Sequence, residues 1–163
     1  MKLTKIIIAS IILFLGVFVI KTVIAGILII GSWSLSISSA DLIAGAGSDI
    51  NNSFVSISNQ VMIDITDVNS IENNWRIDIH KTDVIWDTNI QLFIARTGEG
   101  SGQKNSTILG GLTYQNITDR EQLFFAGRGQ RSGVPIQLKF EGLTIGLPNG
   151  SFSTTVVYTI TEF

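Results

Sequence analysis

The chain has 163 residues, 45% of them hydrophobic and 15% charged, with a formal net charge of −2 and no cysteine. That length carries one domain with a proper core. The missing cysteines exclude disulfides, thiol catalysis and cysteine-bound zinc, and the absence of a clustered basic surface argues against nucleic acid as a partner.

Residues 1–25 read as an export leader. Lys2 and Lys5 precede an unbroken apolar and small-residue run over 6–20, which Lys21 ends. A basic head followed by such a run is a secretory signal, and Val23-Ile24-Ala25 offers cleavage before Gly26. The competing reading is a retained membrane anchor, because residues 6–30 carry a single charge over a length that spans a bilayer. A lysine inside a spanning helix costs about 2.5–3.5 kcal/mol, which favours cleavage. Either way a hydrophobic leader helix precedes one extracytoplasmic domain, residues 26–163, that is secreted or held at the cell surface. It meets the membrane only if the leader is kept.

The first segment beyond the leader, Gly26-Ile27-Leu28-Ile29-Ile30-Gly31, is too apolar to be left in water. It must be buried as an edge strand of its own domain, in the membrane, or in a neighbouring subunit by strand addition. Residues 32–38 alternate strictly, with Trp33, Leu35 and Ile37 between serines, which predicts a strand continuing the run from Ile27.

Further short runs follow at 54–57, 61–65, 75–80, 90–96, 112–117, 122–126, 134–140 and 152–160, separated by Gly, Asn, Asp and Ser clusters. Trp75, Ile77 and Ile79 share one face of the clearest strand. Ile136, Leu138 and Phe140 do the same in a later one, with Gln137, Lys139 and Glu141 opposite. Eight or nine strands at this spacing, with no helix signalled, predict an all-β, antiparallel two-sheet (Ig-like) sandwich.

Candidate chemistry is sparse. His80, the only histidine, lies on the polar face of its strand with no partner at triad or zinc spacing. Asp64, Asp67, Asn69 and Glu72, and the pair Asp83 and Asp87, lack a calcium-loop pattern and read as turn residues. The expectation is a protein with no metal, no cofactor and no catalytic residues.

Trp86, in a loop, and Tyr114 are the candidate contacts of a carbohydrate- or ligand-binding surface. The competing reading folds Trp86 over the sandwich end. Asn51, Asn105, Asn116 and Asn149 stand in Asn-x-Ser/Thr sequons and are possible glycosylation positions.

The carboxyl end, Leu147-Pro148-Asn149-Gly150-Ser151-Phe152-Ser153-Thr154-Thr155-Val156-Val157-Tyr158-Thr159-Ile160-Thr161, resembles the last strand of fimbrial and spore-coat-like surface subunits. The cysteine pair that many such subunits carry is absent. The resemblance implies an Ig-like structural or adhesive surface component whose partners are further copies of itself or other surface-protein subunits. The expected function is therefore a non-enzymatic cell-surface subunit associating through edge strands, with Ile27, Leu28, Ile29 and Ile30 as the assembly strand. The alternative is an extracellular module binding glycans or another ligand.

Overall fold

A computed structural model describes residues 25–68 and 72–163. The leader expected at residues 1–25 falls outside them except for Ala25, and so does Asn69. Among the described residues there are eleven strands, one 3-10 turn at Ser39–Asp41 and no α-helix.

The strands are β1 (Gly26–Ile30), β2 (Ser53–Val55), β3 (Val61–Thr66), β4 (Asn74–Ile85), β5 (Gln91–Arg96), β6 (Ser101–Gly102), β7 (Thr107–Gly110), β8 (Gln115–Asn116), β9 (Gln122–Arg128), β10 (Arg131–Glu141) and β11 (Ser153–Glu162). They form two antiparallel sheets packed together. The first runs β1-β3-β10-β5-β8, with β2 and β6 also paired to β10; the second runs β11-β4-β9-β7. The two-sheet all-β expectation is met.

Period-two burial builds the core between the sheets. Trp75, Ile77 and Ile79 of β4 are fully buried against Ile63 and Ile65 of β3, Ile94 of β5, and Val134 and Ile136 of β10. The Trp75 indole lies edge-on to Phe125, 6.0 Å between centroids, and its Nε1 donates to the Gly129 carbonyl at 2.8 Å. A buried indole N–H left without an acceptor would be costly, so this bond fixes the ring in place.

Several local expectations are corrected. The alternating segment 32–38 is not a strand. Gly31 takes φ +113 with the Gln60 carbonyl against its α-carbon, where a Cβ would come within 2.4 Å. Only glycine tolerates this, and the chain leaves the sheet there. The alternation survives only in part as placement: Trp33 and Leu35 are half-buried, whereas Ile37 is exposed along with the serines. Trp33 stacks on Phe140 at 4.6 Å and 12°. Leu35 joins a second small core around Ile50, Ile90 and Leu143 at one end of the sandwich.

The run at 112–117 shrinks to the two residues of β8, whereas β4 extends to Ile85 and β6 and β7 were not foreseen. The run at 122–126 extends to Arg128, because Gly127 and Arg128 pair within β9. Gly127 is needed there for space: a Cβ would meet the Trp75 ring at 2.7 Å and the Thr107 carbonyl at 2.3 Å.

Candidate assembly surface

The two flanks of the sandwich are built differently. On one flank the chain crosses from β7, the edge of the second sheet, to β8, the edge of the first. Arg96, 3% exposed, pins this crossing. Its amide donates to Gly111, its Nε and Nη2 to the Gly110 carbonyl, and its Nη1 to Gly98. Arg131 is buried nearby and donates to the carbonyls of Ser106 and Glu99. Burial pulls the Arg96 guanidinium below its ordinary range, with the Glu99 carboxylate opposing. Nothing in the sequence neighbourhood of either arginine signals this role; only the distant carbonyls that meet them reveal it.

On the other flank β1 and β11 lie near each other as the edges of their respective sheets, each hydrogen-bonded along one side only among the described residues. β1 pairs with β3 from Gly26↔Thr66 to Ile30↔Met62. The apolar segment thus forms an edge strand of its own domain, one of the three burials the sequence allowed. Ile27 and Ile29 pack on the core, while Leu28 and Ile30 are 53% and 51% exposed. Nothing charged lies on β1.

β11 pairs with β4 over its whole length, a bulge at Ser153/Thr154 aside. Val156, Tyr158 and Ile160 turn to the core, and burial raises the Tyr158 phenol well above its ordinary range. β11 has no proline and no basic residue, and its single charge is Glu162 at the end. Edge strands are ordinarily blunted by lysine, proline, strong bulges or a covering segment.

Both candidate ligand-contact aromatics are engaged within the fold. Trp86 follows β4, donates its Nε1 to the Ile90 carbonyl at 2.9 Å, tilts against Phe140 at 6.0 Å and carries the Lys81 ammonium 4.9 Å from its ring centroid. Tyr114, 37% exposed, gives its hydroxyl to Gln137 at 2.7 Å. The Lys139 ammonium lies 4.6 Å from the Tyr114 ring and 4.5 Å from Phe93, and pairs with Glu141 at 2.6 Å. Burial raises the Tyr114 phenol, opposed by Lys139. Each ring therefore meets a protein cation, and the two occupy separate surroundings.

The acidic residues are engaged as well. Asp64 accepts from Ser132 Oγ and the Gly133 amide at the β10 bulge, Asp67 from Thr66, and Asp83 from Lys81. Among the described residues no three His, Cys, Asp or Glu side chains gather to hold a metal. His80 is half-buried, with Nδ1 enclosed and without a hydrogen-bond partner among the described residues. Asn51, Asn105, Asn116 and Asn149 are all exposed.

Two open hollows mark the surface. One, of about 350 Å³, lies between Asp64, Ser101, Gln103 and Arg131; the other, of about 440 Å³, lies on the outer face of the second sheet between Arg76, Leu123, Thr161 and Phe163. The chain matches no protein-family model, no curated protein and no solved structure.

Proposed function

We propose that the chain is a non-enzymatic, exported structural subunit of a cell surface, an Ig-like sandwich that assembles with copies of itself or other surface subunits through its edge strands. The carrying observation is the asymmetry of the flanks: one is closed by the pinned β7–β8 crossing, and the other leaves β1 and β11 unblunted side by side. Open ladders of this kind are templates for strand addition. The lysine-flanked apolar leader supports export.

The test is sedimentation and negative-stain imaging of the purified chain over a wide concentration range, together with gel mobility before and after heating. Concentration-dependent assemblies that dissociate on heating are expected. Strict monomers throughout would overturn the reading. The glycan-binding alternative has no comparable support, because the rings of Trp86 and Tyr114 already meet Lys81 and Lys139.

A further inference from the structure

We infer that β11 is a two-fold self-pairing edge: a second copy of this chain adds its own β11 antiparallel, centred on Val157, joining the two four-stranded sheets into one. The inference rests on the assembly reading above and names the edge, the partner and the register.

The phase of the ladder comes first. The Phe163 amide donates to the Asn74 carbonyl, so the odd-numbered residues of β11 direct their backbone groups toward β4. In an antiparallel ladder the alternate residues point theirs the other way. The N–H and C=O groups of Thr154, Val156, Tyr158, Ile160 and Glu162 therefore line the free edge.

Side-chain pattern selects the register. On the outer face the odd positions read Ser153, Thr155, Val157, Thr159, Thr161, symmetrical in chemistry about Val157. A two-fold axis perpendicular to the sheet through that residue opposes Val157 to Val157, Thr155 to Thr159 and Ser153 to Thr161. Each is a non-hydrogen-bonded pair, in which side chains approach most closely, and Thr–Thr or Thr–Ser hydroxyl pairs stabilise such positions.

On the core side Val156 meets Tyr158 and Thr154 meets Ile160, apolar or neutral throughout. Charge agrees with this register. Glu162, the one ionised group of the strand, falls opposite Phe152, and no like charges face each other. A register shifted to centre on Tyr158 would instead set Glu162 against Thr154 and lose the Thr155–Thr159 pair. The axis keeps outer face with outer face, so both cores stay on the same side of the joined sheet.

The absence of native cysteine makes the test direct. Val157→Cys and Thr155→Cys are introduced separately into the full-length chain, oxidised, and run on non-reducing gels, with circular dichroism as the check on folding. Paired Val157 positions lie about 4.5 Å apart at Cα, within disulfide reach. Paired Thr155 positions are offset by four residues, about 13 Å. A predominant cross-linked dimer for Val157→Cys, at least tenfold over Thr155→Cys, is expected.

Equal cross-linking of the two, or none in Val157→Cys while sedimentation still shows assemblies, overturns the β11 register and leaves assembly through another edge standing. Monomers by both measurements overturn the assembly reading as well. As a second variant, Val157→Lys should reduce dimer formation at least tenfold with an unchanged dichroism spectrum; undiminished dimer would overturn the inference.

Discussion

Gly127 and Trp75 belong to one packing unit. The indole occupies the space a Cβ at 127 would need, and both residues sit on the β4–β9 ladder. Gly127→Ala should destabilise the fold by about 1–3 kcal/mol, the range for overpacking a close-packed core, measurable as a shifted urea midpoint with unchanged slope. Arg96→Met should cost about 1.5–3 kcal/mol, the range for hydrogen bonds made by a charged group, because it removes the guanidinium's bonds to the Gly110 and Gly98 carbonyls.

Asp83 adds a pH dependence. Burial raises its carboxyl, but the Lys81 ammonium and the Thr154 hydroxyl outweigh this and hold it below its ordinary value. A carboxyl lowered in the folded state contributes stability above its unfolded pKa and loses it as pH falls through the folded value. Asp83→Asn should therefore flatten the stability profile slightly below about pH 4. The effect is small, since the Asp83 side chain is 36% exposed and its charge is screened by solvent.

At the scale of elements, β1 has two faces with different duties. Ile29 packs on the core and Leu28 does not. Ile29→Ala should lower stability by about 1–2 kcal/mol, less than a fully buried isoleucine because the site is half-exposed. Leu28→Lys should leave stability within about 0.5 kcal/mol, and if the β1 edge also contributes contacts between subunits it should weaken assembly. Thermal unfolding of both variants beside sedimentation separates the folding role from the surface role.

The whole molecule is held together by pairings remote in sequence. β11 closes on β4 across roughly half the chain, and β10 sits between β3 and β2 on one side and β5 and β6 on the other. Closing such loops costs entropy before the contacts form, so refolding should take milliseconds to seconds rather than microseconds. Tryptophan fluorescence after rapid dilution from urea checks this, with buried Trp75 as the main reporter.

Where the apolar alternation is clean, the sequence by itself settled the outcome. The alternations Trp75/Ile77/Ile79, Ile136/Leu138/Phe140 and Val156/Tyr158/Ile160 each face the core as their spacing requires, because side-chain direction in extended chain has period two whatever the fold. The segment 32–38 marks the limit of that signal. Its alternation turned Trp33 and Leu35 inward but not Ile37, which is 40% exposed, and backbone pairing was decided by Gly31 and its neighbour Gln60, a contact between residues far apart in the chain. Likewise Arg96, Lys81 and Lys139 are ordinary charges in the sequence, and only tertiary structure brings carbonyls or aromatic rings to them. Which strands become edges is also a property of topology: periodicity reports how a strand is buried, and only the assembled sheets leave β1 and β11 each with a single neighbour among the described residues.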